Sequence, residues 1–216
     1  MQTSQKPLQL FHGNSNFFGK PNSFISIQQG VKLPVDIIEL DIRKSKDGVL
    51  YCYHGGLFAC LLKYFNFRVV RKFLLVDKLT DILSIIPVQK TVFLDIKENT
   101  ITATDLKPIF YRFNTHRFWL AAYNLKYLRQ LKINLGEQYQ YIYNFGFVFL
   151  NRGLRLSKTI GINVIKIFSW QCTDKNIEKI NNSGLNFVIE ETFVNKNKLD
   201  KLISLYGSFW IVVDGK

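Results

Sequence analysis

The chain has 216 residues, which fits one domain of ordinary size with a sizeable buried core. Hydrophobic residues make up 47% of the sequence and charged residues 21%, which excludes a disordered, low-complexity or fibrous protein. The formal net charge of +13 predicts attraction to polyanions such as nucleic acid, an anionic membrane or a phosphorylated substrate, and a compositional bias toward lysine explains it equally well.

Eight short segments rich in Val, Ile, Phe and Tyr and bounded by turn residues are predicted as strands. They are residues 8–13, 35–43, 49–54, 91–97, 117–123, 139–145, 163–169 and 186–191. The predicted helices are residues 22–30, 80–86, 102–113, 125–133, 153–161, 173–184 and 195–207. Gly30 is the expected C-cap of the first helix. Either Thr102 or Thr104 is expected to begin the helix that ends at residue 113, and Thr173 is expected to begin another. The tail 209–216 is typical of one further short strand or a packed terminus.

Strands that alternate with helices indicate βαβ units and a parallel sheet. Eight units of about 27 residues are enough for a (β/α)8 TIM barrel, and we predict this α/β fold as a single domain over residues 1–216. A doubly wound open sheet is the alternative fold. The loop after the first strand has no glycine-rich phosphate-binding pattern, which disfavours that alternative.

Compartment and redox state follow from what the sequence lacks. No apolar run is long enough for a transmembrane helix, and the first ten residues lack the apolar core of a secretory signal. We therefore expect a cytoplasmic protein, and the sequence leaves its oligomeric state open. The spacing of Cys52, Cys60 and Cys172 predicts neither a disulfide framework nor a zinc site, in keeping with a reducing compartment.

Six polar side chains stand at or near the ends of the first four predicted strands. They are His12, Glu39, Asp41, His54, Asp95 and Lys97. Because side chains two apart on a strand share a face, Glu39 points with Asp41, and Asp95 points with Lys97. The carboxyl ends of barrel strands carry the active site in this fold. Singly, each residue is more often a solvated or hydrogen-bonding side chain, but their joint placement favours a site.

This placement predicts the chemistry of the site. Three converging carboxylates form an oxygen-rich site for a hard cation such as Mg²⁺ or Ca²⁺. Lys97 beside them offers a positive charge to a bound phosphate. Two flanking histidines, His12 and His54, can serve as general base and general acid.

The order and spacing of the motifs match a family signature. The matching elements are His12-Gly13, Pro21-Asn22-Ser23, Gly30, Glu39-Leu40-Asp41, Ser45-Lys46-Asp47-Gly48, His54 and Asp95-Ile96-Lys97, with a weaker likeness at Ser169-Trp170. Together they resemble the glycerophosphodiester phosphodiesterase family of metal-dependent TIM-barrel enzymes. The resemblance implies that Glu39, Asp41 and Asp95 hold one divalent cation, Mg²⁺ or Ca²⁺. It also implies acid–base roles for His12 and His54 and a phosphate-neutralising role for Lys97.

The chain departs from the family pattern at several positions. Gly13 stands where the family has Arg, Asn22 replaces an acid, Gly55 replaces Asp, and Asp95 is one methylene shorter than the family's Glu. At positions 13 and 95 the chain is similar to the sphingomyelinase D and phospholipase D-like barrel enzymes. A lyase that cyclises membrane lipid is therefore the alternative to a hydrolase acting on a small glycerophosphodiester or lysophospholipid.

Two further readings concern binding. One is a catalytically impaired relative that binds phosphorylated ligands or nucleic acid, and nucleic acid is the least favoured partner because no recognised motif for it is present. The other concerns residues 57–79, expected as a loop or helical segment over the barrel mouth, where basic residues alternate with apolar and aromatic ones. An anionic membrane interface is a candidate partner for this segment. Ordinary packing of a helix or loop against the barrel is the favoured alternative.

Overall fold

The computed structural model describes residues 9–12, 20–55, 57–144, 150–190 and 210–213. The strands of these ranges are β1 (Gln9–His12), β2 (Ile37–Lys44), β3 (Leu50–Cys52), β4 (Thr91–Ile96), β5 (Arg117–Ala122), β6 (Gln140–Asn144), β7 (Val164–Phe168), β8 (Asn186–Glu190) and β9 (Trp210–Val213). The helices are α1 (Phe24–Gly30), α2 (Phe67–Leu74), α3 (Leu79–Leu83), α4 (Ala103–Arg112), α5 (Leu125–Leu135), α6 (Leu150–Thr159) and α7 (Asp174–Ser183). Two 3-10 helices span Leu57–Tyr64 and Ser169–Gln171.

The parallel strands form a curled sheet that follows the chain order. From β2 the neighbours are β4, β5, β6, β7, β8 and β9, and β1 pairs with both β9 and β2. The predicted α/β class with parallel strands is therefore confirmed. Connecting helices pack on the outside of the sheet, where the largest hydrophobic cluster lies.

Residues 49–54 do not form a parallel strand, and this prediction was wrong. β3 runs antiparallel to β2, with Ile42 opposite Cys52. Only residues 45–49 separate the two strands, and a parallel crossover needs about a dozen residues or more. The connection is therefore a hairpin turn, in which Gly48 has φ 82°. The parallel strand that pairs with β1 and β8 is β9, in the tail that was expected to be a strand or a packed terminus.

The inner side of the curled sheet has an apolar end and a polar end. The apolar layer consists of Leu10, Ile37, Phe93, Ala121, Ile142, Val164 and Val188. Buried polar residues lie beyond it toward the carboxyl ends of the strands, namely Glu39, Asp41, Asp95, Asn144 and Lys166. Most of these polar residues follow an apolar-layer residue by two positions, so the alternation of a strand places them on the same inner side.

Gly30 has a different role from the one its position predicted. Helix α1 ends at this residue, but its C-cap is Val31 in a right-handed conformation. The aromatic ring of Phe11 fills the space where a Cβ of residue 30 would stand. Glycine therefore allows α1 to approach β1 closely, and it is not needed to terminate the helix.

Of the two predicted starts of helix α4, Thr102 is its N-cap and Thr104 lies within the helix. The predicted cap at Thr173 is also confirmed, because its side chain accepts a hydrogen bond from the Asn176 N–H. The predicted helix 195–207 lies outside the described residues. None of the helices in the described ranges is long and apolar enough to cross a membrane.

We predict that Asp105→Asn destabilises the protein at neutral pH by about 1 kcal/mol, because the Asp105 carboxylate organises the first turn of α4. The carboxylate accepts hydrogen bonds from the Thr102 N–H at 2.7 Å and from Lys44 Nζ at 2.8 Å. Burial alone would raise the pKa of Asp105, but the hydrogen bonds from Lys44 and Thr102 outweigh it and lower the pKa.

Because the folded pKa lies below the unfolded one, the carboxylate stabilises the fold above the unfolded pKa of about 3.9. That contribution is lost as the pH falls through the folded pKa. Urea unfolding of wild type and Asp105→Asn should therefore differ at neutral pH and converge in acid. A difference that persists unchanged in acid would contradict this assignment.

Candidate active site

Three carboxylates meet at the polar end of the sheet interior. Strands β2 and β4 are in register so that Asp41 lies directly beside Asp95, and Glu39 precedes Asp41 by two residues. All three side chains are fully buried. One oxygen of each lies within 4.8 Å of the others, close enough to share one ion. The structure thus brings together the three predicted metal ligands.

Lys97 bridges two of these acids. Its Nζ lies 2.6 Å from Asp41 Oδ1 and 2.7 Å from Asp95 Oδ2, and its side chain is 12% exposed. Burial by itself would lower the pKa of Lys97, but the charges of Asp95, Asp41 and Glu39 outweigh it and hold the pKa well above its ordinary value. Lys97 is therefore a permanent cation within the cluster.

Two residues that the sequence motifs did not predict hold Asp95 from the far side. Asn144 donates a hydrogen bond from Nδ2 to Asp95 Oδ1 at 2.7 Å. Lys166 is buried, with Nζ 3.5 Å from Asp95 Oδ2 and 5.6 Å from the centre of the Phe93 ring. A lysine inside the apolar strand VIKIF was the available signal, because a buried cation needs a partner.

Asn22 fixes Asp41 through two hydrogen bonds. Its Nδ2 donates to Asp41 Oδ2 at 3.0 Å, and its Oδ1 accepts from the Asp41 N–H at 3.0 Å. The residue is buried and has φ 57°, a left-handed conformation that asparagine tolerates better than most residues. The side-chain amide of Asn22 therefore holds Asp41 in place within the carboxylate cluster.

The β2–β3 hairpin brings His54 to the site. The Tyr53 N–H donates to the Asp41 carbonyl at 2.9 Å, which returns the chain to the middle of β2. His54 Nδ1 then lies 2.7 Å from Asp41 Oδ2, with its side chain 43% exposed. Arg43 braces this return by donating to the carbonyls of Tyr53 and His54. The prediction that His54 ends a parallel strand was wrong, since it follows an antiparallel one.

The backbone register also places the other predicted histidine. His12 of β1 lies beside Glu39 of β2. Gly13, which stands where the family has Arg, is outside the described residues.

Among the described residues, a separate cavity of about 460 Å³ lies at the opposite end of the sheet, where β5 and β6 begin at Arg117 and Gln140. It contains none of the predicted site residues.

Part of the chain matches a known protein family. Residues 13–81 match the model of the glycerophosphoryl diester phosphodiesterase family, and this stretch includes Glu39, Asp41 and His54. The predicted resemblance to this family is therefore confirmed for this stretch of the chain. The match supports the predicted class of enzyme, a phosphoric diester hydrolase. A search of curated proteins gives no match.

Solved structures of glycerophosphodiester phosphodiesterases have a similar fold. The Agrobacterium tumefaciens enzyme has 15% identity and a TM-score of 0.75, over 97% of this chain and 96% of that one. The Thermotoga maritima enzyme has 12% identity and a TM-score of 0.77, over 97% and 95%. An Oleispira antarctica phosphodiesterase, solved with the product sn-glycerol-3-phosphate, has 13% identity and a TM-score of 0.75, over 95% and 92%. At these identities the likeness shows the fold.

We predict that Asn22→Gly lowers the free energy of unfolding by roughly 1–3 kcal/mol, because it removes two buried hydrogen bonds to the carboxylate and the N–H of Asp41. Glycine accepts the left-handed backbone of residue 22, so the change tests the side chain alone. Urea unfolding measures the effect. Asn99→Gly, in an exposed turn, is the matched control and should change stability little. Equal losses in the two variants would show that the amide does not hold Asp41.

Proposed function

We propose that this chain is a metal-dependent phosphodiesterase that hydrolyses glycerophosphodiesters. We also propose that its curled sheet forms the closed barrel of a (β/α)8 fold. The observation that carries the proposal is the convergence of three buried carboxylates, a bridging lysine and a carboxylate-bound histidine at one end of the sheet. These are the residue types that phosphodiester cleavage requires: ligands for a cation, a charge for the phosphate and a group that transfers protons.

The donor set fits a hard divalent cation. Glu39, Asp41 and Asp95 offer only oxygen atoms, which Mg²⁺ and Ca²⁺ prefer. The three carboxylates carry one more formal charge than Lys97 and Lys166 neutralise, so the cluster retains an attraction for a cation. When bound, such a cation supplies Lewis-acid polarisation of a phosphoryl oxygen.

Lys97 is the proposed contact for the phosphate, and His54 is the proposed proton-transfer group. Two of the three N–H donors of Lys97 are directed to Asp41 and Asp95, and the third can meet a phosphate oxygen. Hydrolysis forms a P–O bond to water and breaks the P–O bond to the alcohol, and the proton of the water ends on the leaving alkoxide. His54, held through Nδ1 by Asp41, presents Nε2 as the nitrogen that takes or gives this proton.

The substrate follows from the family and from the site. A relative with this fold was solved with sn-glycerol-3-phosphate as its product, which favours a small glycerophosphodiester here.

His12, placed beside Glu39 by the register of β1 and β2, is the proposed second acid–base residue. The cyclising and non-catalytic alternatives are not favoured, because the family match and the fold neighbours are phosphodiesterases.

We predict that the purified protein releases glycerol phosphate from glycerophosphocholine with Mg²⁺ or Ca²⁺ and loses this activity in excess chelator. His54→Gln should reduce kcat by roughly 10²–10⁴-fold, the usual contribution of an acid–base group. Glu39→Gln should abolish the response to added metal. A coupled assay for the released phosphate ester measures all three effects.

Glu178→Gln is the matched control, because this glutamate is exposed on α7, away from the cluster. It should retain wild-type activity. Turnover that survives both chelation and Glu39→Gln would refute the metal-dependent proposal, and a cyclic phosphate as the final product would replace hydrolysis by lyase chemistry.

We also predict that Lys166→Met raises the affinity of the cluster for a divalent cation. The substitution removes a positive charge that lies 3.5 Å from Asp95 Oδ2 while filling a similar volume. Calorimetric titration with Ca²⁺ and terbium(III) luminescence both measure binding without turnover. Lys126→Met, on the exposed face of α5, is the control and should leave the affinity unchanged. Weaker binding in Lys166→Met would show that Lys166 supports the ligand geometry and does not compete with the cation.

A further inference from the structure

Helix α2 carries three distinct faces along its eight residues. Phe67 and Val70 are buried against Tyr51 of β3 and Val76, which anchors the helix to the hairpin. A second face is basic, because Arg68, Arg71 and Lys72 recur at the spacing of one helical stripe and are all exposed. A third face is apolar and exposed, with Val69 and Phe73 one turn apart.

The basic face borders a groove. This groove has a volume of about 650 Å³ and is lined by Asp47, Val49, Phe67, Arg68, Arg71, Lys72, Leu75 and Lys78. Four of the lining side chains are cationic and one is anionic. The Asp47 carboxylate holds the turn and the start of α2 together, since it accepts hydrogen bonds from the Ser45 hydroxyl at 2.7 Å and from the Phe67 N–H at 2.8 Å. The groove is therefore suited to a negatively charged group.

Leu75 has an unfavourable backbone conformation and an exposed apolar side chain. It follows α2 in a left-handed conformation, with φ 49° and ψ 48°, where glycine is the usual residue. Its side chain is nevertheless 73% exposed, and the neighbouring Phe73 is 77% exposed. A strained backbone and an exposed apolar side chain both oppose folding, so a contact outside the folded chain is the favoured explanation for this pair.

The surface lies at the same end of the fold as the carboxylate cluster. Asp47 and Val49 belong to the turn beyond the carboxyl end of β2, the strand that carries Glu39 and Asp41. The 3-10 helix Leu57–Tyr64 lies between His54 and α2 in the chain and carries two further exposed apolar side chains, Leu61 and Tyr64. Basic and apolar groups are thus adjacent on one side of the candidate active site.

We propose that the face formed by Arg68, Arg71, Lys72, Phe73 and Leu75 is a docking surface for an anionic phospholipid bilayer. The groove receives a lipid headgroup, and Phe73 and Leu75 enter the interfacial region. Charge complementarity supports the bilayer as the partner, since bilayers combine negative charge with apolar depth. Nucleic acid offers the charge but would leave the two exposed apolar side chains without a partner.

Co-sedimentation with vesicles tests the proposal independently of catalysis. The full chain should bind vesicles of phosphatidylcholine with phosphatidylserine and not vesicles of phosphatidylcholine alone. Each basic residue near an anionic surface accounts for roughly a fivefold change in partitioning. The triple variant Arg68→Gln, Arg71→Gln, Lys72→Gln should therefore bind about a hundredfold more weakly.

A matched triple variant controls for the loss of net charge. Lys107→Gln, Lys126→Gln, Arg129→Gln removes the same charge from exposed positions on α4 and α5 and should bind vesicles almost as well as wild type. Equal losses in the two triple variants would overturn the proposal, because attraction would then depend on overall charge alone.

Leu75→Gly separates binding from folding. Glycine relieves the left-handed strain, so the melting temperature should not fall, while binding to anionic vesicles should weaken several-fold. Ile133→Ser, at an exposed position on α5, is the control and should leave vesicle binding unchanged. Undiminished vesicle binding by Leu75→Gly would exclude insertion of this face.

Two further outcomes would replace the bilayer by another ligand. Soluble glycerophosphoserine that binds wild type and Leu75→Gly equally, with no preference for vesicles, would make the groove a site for a free headgroup. A single-stranded oligonucleotide that binds more tightly than vesicles and is lost in the α2 triple variant would assign the face to nucleic acid. Hydrolysis of soluble glycerophosphocholine, measured alongside, should be unaffected by every docking variant, so a failure here is distinct from a failure of the proposed activity.

Discussion

The compensation of buried negative charge is the constraint on which the site depends. Three carboxylates inside a sheet would be prohibitively costly without partners of opposite charge. Lys97 lies between Asp41 and Asp95, and Lys166 approaches Asp95 from β7. The two lysines reduce the formal charge of the cluster without cancelling it. The fold is thereby able to bury the acids and still attract a cation.

Asp41 and Asp95 have different hydrogen-bonding partners. Asp41 accepts from Asn22 and contacts His54, so it connects the cluster to the proposed proton-transfer group. Asp95 accepts from Asn144 and lies near both lysines, so it is the more strongly compensated acid. Its shorter side chain, compared with the glutamate of the family pattern, is held by groups from β6 and β7. Divergence at position 95 is thus matched by partners elsewhere in the sheet.

The β2–β3 hairpin joins the candidate active site to the proposed docking surface. One end of it returns His54 to Asp41, and its turn provides Asp47, which accepts a hydrogen bond from the first residue of α2. Part of the excess positive charge of the sequence lies on the basic face of α2 and around the groove. The proposed catalysis and the proposed membrane docking therefore depend on separate sets of residues that the hairpin connects.

The sequence by itself determined the local elements and the acidic half of the site. Alternation with period two placed Glu39 with Asp41, and the parallel strands brought both to Asp95, because these rules act within a strand and between neighbours. Tertiary structure alone decided which distant residues complete the cluster, since Asn22, Asn144 and Lys166 reach it from separate elements. It also decided the direction of β3, because the short turn after β2 leaves no length for a crossover. Pairing of strands and compensation of charge are properties of the assembled sheet, and no single segment encodes them.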